Sequence, residues 1–388
     1  MKNFTGCTAQ IIQLEVDYCS GVLIWCVYDY CNIKNTSKRG IGKMIYSQTD
    51  GLKYIMEQKE IEKIPDQFPS NVPNGADSFS KIFSDIETMM NTNVHVNVTL
   101  GAAGAGNGIL NDHGAGHIAM VEERAYRILG ERAKQLSGYE IFILLLSIHF
   151  HDVGNVLGRE AHEEKIEEIF IALKDQIPLD YPVKRLIRDI AMAHGGKVDG
   201  DKDTISRVQE LVHVDGLPIR AAVLASILRY ADEIADDKNR ASTFLLEVGG
   251  IPPANKVFHE YSKALEPAVI IEDTLQLQYS ISHKQATEKT TKNSEEVYLY
   301  DEILLRIQKC LCELEYCRKY SQGFIHISCI TVNICVCSDN GMREIYSDSF
   351  KLRLSGYPNM EDYYPMKRCT TCIKAGNGEH LVKIVNGG

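Results

Sequence analysis

The feature that most restricts this chain is His151-Asp152, which follows an apolar run from Ile141 to Ile148. An ionisable pair beside such a run is costly to bury unless it has a partner. A divalent cation is the strongest partner available. Neighbouring residues on a helix project about 100° apart, so a His and an Asp there approach one ion from adjacent directions. A buried hydrogen-bonded pair is the alternative reading. The metal reading needs two more ligands from elsewhere. Six of the 12 histidines fall between His113 and His194, an 82-residue window of a 388-residue chain. Upstream lies Asn111-Asp112-His113-Gly114-Ala115-Gly116-His117. Downstream, Asp232 sits among apolar neighbours in Leu228-Arg229-Tyr230-Ala231-Asp232-Glu233-Ile234.

The hydrophobic pattern predicts an α+β protein of three regions. Residues 1–95 carry few readable signals. Gly21 to Tyr30 reads as a strand or short buried helix, and the proline-rich Ile64 to Ser78 as a linker. Residues 96–245 read as an all-α bundle, with helices over Ala115–Leu136, Glu140–Val153, Glu160–Leu173, Val183–Ala193 and Ile219–Ile234. Residues 246–388 read as an α+β tail, one sheet backed by a long helix. Strands are expected at Ala268–Glu272, Gln276–Ser282, Ile325–Val336 and Phe350–Leu354. The helix is expected over Glu295–Tyr320, with Leu299, Ile303, Ile307, Cys310 and Leu314 on one face.

Charge narrows the function classes. Lys+Arg is 42 and Asp+Glu 52, a net charge of −10. That excludes a general nucleic-acid binder, which needs a basic surface, but permits a local basic pocket for a small phosphate. The 12 cysteines are too sparse for a disulfide scaffold. No secretory signal or membrane span stands out, so a cytoplasmic protein without a membrane partner is expected.

In order, His117, His151-Asp152 and Asp232 resemble the H…HD…D pattern of the HD-domain metal-dependent phosphohydrolases. The separations are 34 and 80 residues. The contexts are similar too: His117-Ile-Ala-Met-Val, Ser147-Ile-His-Phe-His-Asp-Val-Gly and Arg229-Tyr-Ala-Asp each resemble the family's helices. The opening Asn-Asp-His-Gly-x-Gly-His and the α+β tail resemble a conflict-associated HD subgroup. The resemblance runs from His113 to about Arg240. It implies an HD-type helical bundle in which His117, His151, Asp152 and Asp232 hold a first divalent ion. His162 and His194, in the interval where some members bind a second ion, are the candidates for that one. Mn, Mg, Fe, Co, Ni or Zn would suit.

The implied chemistry is hydrolysis of a nucleotide-like phosphate ester or anhydride. The metal acidifies a water and Asp152 orients it. His113 is a candidate catalytic or substrate contact. Arg159, Lys197, Arg229 and Arg240 are candidate phosphate binders, with Arg159 replacing the lysine of the common H-D-x-G-K pattern, where this chain has Asn155. Asp236, four residues after Asp232, is expected on the same helix face. The partner is a small molecule, and an oligomer is left open. A nucleotide-sensing, non-catalytic module and an HD-fold di-iron oxygenase are the competing readings.

Several features invite blander interpretations. His162 and His194 read equally as surface or cap histidines, and His149 as structural. His259 and Tyr261 are candidates to close the pocket from the tail. Val94 to Thr99 followed by Gly101–Gly108 imitates a strand and dinucleotide loop, but lacks the G-x-G-x-x-G spacing and reads as a loop. Cys369-Thr-Thr-Cys372 is a single C-x-x-C with no second pair. Cys335 and Cys337 read as strand core, and Glu163-Glu164 as a solvated helix face.

Overall fold

The computed structural model describes residues 51–61, 78–98, 113–195, 197, 200–214, 216–293, 295–354 and 373–387. Gly21–Tyr30, residues 64–77, Gly101–Gly108, Asn111-Asp112 and Cys369–Cys372 lie outside them. Gly51–Gly388 forms one compact unit.

A buried helix organises the bundle. The helices, numbered in chain order, are α1 (Leu52–Ile61), α2 (Phe79–Met89), α3 (Ala115–Leu129), α4 (Gly138–Phe150), α5 (Ile166–Ala172), α6 (Tyr181–Met192) and α7 (Ala221–Glu233). Every residue of α4 is buried, and α1, α2, α3, α6 and α7 all pack on it. This explains an apolar stretch that, by length and composition alone, would suit a membrane: 89% of the Gly138–Leu157 window is buried inside the protein. The start of α4 is fixed by a capping box. Glu140 N donates to Ser137 Oγ at 3.0 Å and Ser137 N to Glu140 Oε2 at 2.8 Å. Glu140 is buried, and Arg220 neutralises it through Nε at 2.7 Å and Nη2 at 2.6 Å. That pair ties the start of α4 to the start of α7.

Beyond α7 come α8 (Thr243–Glu247), α9 (Lys256–Ala264), α10 (His283–Thr287), the long α11 (Leu299–Tyr320) and α12 (Gly378–Val385). Strands β3 (Val269–Ile271), β4 (Thr274–Ser282), β7 (Cys329–Cys337) and β8 (Glu344–Arg353) form a sheet in the order β3-β4-β7-β8. β4 and β7 are parallel, with Leu277 opposite Val332. Such a pair needs a crossover, which α10, the hairpin β5 (Lys289–Lys292)–β6 (Glu295–Tyr298) and α11 supply. Leu275, Leu277, Tyr279, Ile281, Ile330, Val332, Ile334 and Val336 alternate onto the buried face. The five apolar residues expected on one face of α11 are all buried, and α11 packs against both α7 and α9.

The α+β architecture is as expected, with local corrections. The 96–245 stretch is not wholly helical: β1 (Val212–Val214) and β2 (Leu217–Ile219) make a short hairpin. Residues 295–298 are strand β6, because Thr290 and Val297 pair across the hairpin before the helix can start. Residues 161–165 are turns, so α5 begins only at Ile166. Val94–Val98 is helical, not extended, with a π-helical turn at Met90–Val94. Cys335 and Cys337 face away from the buried Ile334 and Val336 and are half-buried, their Sγ atoms 3.4 Å apart.

Replacing Arg220 with Ala leaves the Glu140 carboxylate buried without its guanidinium. The expected loss is roughly 2–3 kcal/mol, below the ~3–5 kcal/mol of a fully buried pair because water reaches Arg220. Urea unfolding measures it, and a loss under about 0.5 kcal/mol would contradict this role.

Candidate metal centre

Three helix ends converge on one point. His117 lies in the first turn of α3, His151 caps the C-terminus of α4, and Asp232 is the penultimate residue of α7. Asp152 follows His151 and opens a 3-10 turn, Val153–Leu157. His117 Nε2 is 3.3 Å from His151 Nε2, 3.6 Å from Asp152 Oδ2 and 3.1 Å from Asp232 Oδ1. His151 Nε2 is 3.5 Å from Asp152 Oδ2 and 3.7 Å from Asp232 Oδ1. Ligands bound at about 2.1 Å in tetrahedral or octahedral geometry stand about 3.0–3.4 Å from one another. The observed spacings are close to those of a coordination shell.

The chemistry of the donors points the same way. His151 Nδ1 donates to the Ile148 carbonyl at 2.7 Å, and His194 Nδ1 to the Ala191 carbonyl at 2.5 Å. A carbonyl only accepts, so each ring carries its proton on Nδ1 and presents a lone pair at Nε2. The His151 lone pair faces the oxygens of two carboxylates, the buried Asp152 and the partly exposed Asp232. Acceptors crowded against acceptors need a cation between them. Without a metal, a proton serves. Burial alone would lower the His151 pKa, but Asp152 and Asp232 outweigh it and raise it to about 9. Burial opposes ionisation of Asp152, yet His151 and His113 hold its pKa well below the usual carboxylate range.

Asp152 also faces a second group. Its Oδ1 is 3.1 Å from His162 Nε2 and 3.7 Å from His194 Nε2. His162 Nε2 is buried, and although Asp152 Oδ1 is near, no well-aligned hydrogen bond takes it up, as suits a ring nitrogen that could bind a metal. His162, Glu163 and His194 offer donor atoms within 4.8 Å of one another, as do His117, His151 and Asp232. One carboxylate thus stands between two donor sets, each of which could hold an ion.

Local sequence explains this convergence. A Cβ on Gly154 would lie 1.8 Å from the His162 carbonyl oxygen, so the glycine of His-Asp-Val-Gly is what lets the His162 turn cross the 3-10 segment. A Cβ on Gly195 would meet the Glu163 side chain at 2.6 Å. Asn155, standing where the lysine was expected, donates to Asp152 Oδ1 at 3.0 Å and accepts from Arg159 Nη1 at 3.3 Å. His113 Nδ1 lies 2.8 Å from Asp152 Oδ2, and Arg240 Nη2 is 3.2 Å from the same nitrogen. Arg124, buried on α3, bonds Asp237 at 3.2 Å and so anchors the segment that leads from Asp232 to Arg240.

A cavity of about 500 Å³ opens onto this centre. His113, Arg159, His162, His194, Arg229 and Arg240 all line it. Lys197 is exposed and is not in its lining. The Arg229 guanidinium is held by Glu313, by Thr204 Oγ1 at 2.6 Å and over the Tyr316 ring, so its bonds brace the wall. α7 ends at Glu233, which places Asp236 beyond the helix, where it accepts from Ser262 Oγ at 2.6 Å. Glu163 is no solvated face residue: it is 19% exposed and lines the cavity. His259 is fully buried and bonded to Ser242, whereas Tyr261 does reach the cavity. Phe258, Arg306 and Lys309 complete a wall that the residue pattern did not reveal. The only signal was the polar stripe of α11.

A helical bundle whose helix ends gather H…HD…D donors beside a cavity defines an HD-type domain. A family model described as HD-CE matches residues 108–309, and the chain belongs to the HD-CE family. No curated protein and no solved structure matches it.

Two outcomes are expected. First-ion affinity should tighten about tenfold per pH unit from about pH 7 to 9, then level off, because the ion must displace the His151 proton. Metal titration against a competing chelator checks this, and a pH-independent affinity would contradict it. Gly154→Ala should push the His162 turn away, weaken the second ion roughly 10–100-fold and retain the first. Metal stoichiometry measures that directly.

Proposed function

We propose that this protein is a metal-dependent phosphohydrolase acting on a phosphate ester or anhydride of a small, nucleotide-like substrate. The observation that carries the reading is Asp152, standing between two histidine sets at the floor of a cavity that also presents Arg159 and Arg240. Divalent ions held by His117, His151, Asp152, Asp232, His162 and His194 would supply Lewis acidity toward a phosphoryl oxygen and activation of water.

The chain's own residues do the rest. Arg159 and Arg240 take up phosphoryl charge, and their planar guanidinium groups suit two oxygens at once. His113 and Asn155 each hold one oxygen of Asp152, so that carboxylate cannot rotate away from an incoming water. Burial of the floor strengthens these interactions. The same donor set would suit a di-iron oxygenase. The two arginines beside it favour an anionic, phosphate-bearing substrate.

The test is phosphate release across nucleotides and simple phosphate esters with Mn²⁺, Co²⁺, Ni²⁺, Mg²⁺ or Fe²⁺. Activity should need the metal and fall to background in His151→Ala and Asp152→Ala. Arg159→Ala should lower kcat/KM roughly 10²-fold, as expected for loss of one charge-stabilising group. Metal-loaded protein that turns over nothing in this panel would remove the proposal.

A further inference from the structure

The cavity lining that comes from the end of α7, from α9 and from α11 carries charges that differ in kind from Arg159 and Arg240. Each cation there is already matched. Lys309 Nζ is 2.6 Å from Glu233 Oε2, and Arg306 Nε is 2.9 Å from Glu302 Oε1. Arg229 bonds both oxygens of Glu313, at 2.7 and 2.9 Å. Glu233, Glu313 and Asp236 nevertheless line the cavity. Phosphate oxygens reaching this wall would meet carboxylates whose counter-charges are spent. Hydroxyl or N–H donors would find acceptors, because a carboxylate offers about four lone-pair sites and these bonds use only some. The wall also has flat surfaces: the Arg306 guanidinium lies 5.5 Å from the Phe258 ring centre and 5.2 Å from that of Tyr261. A planar ring can stack on such a group. The cavity, at about 500 Å³, falls within the usual size range of small-molecule pockets, about 300–1,000 Å³.

We infer that this wall selects a phosphate monoester whose alcohol part is uncharged, flat and rich in hydrogen-bond donors, and that it rejects polyphosphate chains. That is the chemistry of a nucleoside monophosphate. The inference rests on the phosphohydrolase reading, in which the phosphoryl group sits at the metal centre and the rest of the molecule extends toward α9 and α11. Glu233 and Asp236 are the residues that discriminate, by accepting from the neutral body and repelling a second phosphate.

The test is calorimetric binding to the full chain at a fixed excess of free Mn²⁺. The probes are the mono- and triphosphates of adenosine, guanosine, cytidine and uridine. For at least one nucleoside, the monophosphate should bind at least about tenfold more tightly than its triphosphate. In a Glu233→Gln, Asp236→Asn double variant that preference should shrink about tenfold. The ratio is the readout because both ligands use the same metal centre, so damage to it cancels. Triphosphates binding as tightly as monophosphates in all four pairs, an unchanged ratio in the double variant, or no binding by any probe would overturn the inference. Preferential monophosphate binding without phosphate release would instead count against the hydrolase reading and leave the subsite standing.

Discussion

Electron pairs that face electron pairs are the constraint on which this structure depends. His151 Nε2, Asp152 Oδ2, Asp232 Oδ1 and His117 Nε2 stand 3.1–3.7 Å apart in five of their six pairings. Three are supplied by buried side chains, and Asp232 is only 29% exposed. With the His151 proton on Nδ1, its Nε2 lone pair and the two carboxylates would repel one another without a positive charge among them. The fold tolerates this because each donor sits at the end of a helix whose body is locked in the core. α4 is the clearest case, with all its residues buried and a capping box at its start. Rigidity bought at the far end of α4 is what keeps His151 and Asp152 from relaxing apart.

Asp152 has the most demanding role. One oxygen faces His117, His151 and His113; the other faces His162, His194 and Asn155. Asn155 resolves the departure from the lysine-bearing pattern. It is fully buried, and a lysine there would place an ammonium beside Asp152, where it would compete with a second ion. An amide instead donates to Asp152 and accepts from Arg159, so it orients the carboxylate without adding charge. The positive charge is moved outward to Arg159, in the lining of the cavity.

What could be read from the residues alone follows from the range of the forces involved. The helices of the bundle show in hydrophobic periodicity because each buries a stripe, and His117, His151, Asp152 and Asp232, which the structure brings together, show because ionisable residues are out of place among Leu and Ile. Boundaries were less legible. Glu295–Tyr298 has no signal separating it from the helix that follows, since its strand character comes from pairing with Lys289–Lys292. His162 was expected to open a helix, but the close passage over Gly154 needs a turn there. Arg229 carries the motif of a phosphate binder, yet Glu313, 84 residues away, takes its guanidinium. Glu163 has the same composition around it as a solvated acid, and only the approach of His194 reveals otherwise. These are tertiary facts, invisible to a local pattern.

A second buried cluster shows why donor geometry alone does not make a metal centre. On the opposite side of α4, His149 Nε2 lies 3.1 Å from Glu122 and 4.0 Å from Glu87, spacings that would also suit an ion. There, however, Lys53 of α1 bonds Glu87 and lies 3.0 Å from Glu122 Oε2, so an ammonium already occupies the place of a cation. His95 completes the cluster, 3.1 Å from His149 Nδ1, and burial together with the neighbouring His149 lowers its pKa to about 3, leaving it neutral. At the catalytic candidate, by contrast, every ion-pair partner of Asp152 and Asp232 among the described residues is a histidine. Histidine can release its proton to an incoming metal near neutral pH, and lysine cannot. The two sides of one helix thus carry similar donors with different ends: one side closed by a lysine and committed to holding α1, α2 and α3 on α4, the other left to a proton that a divalent ion can displace.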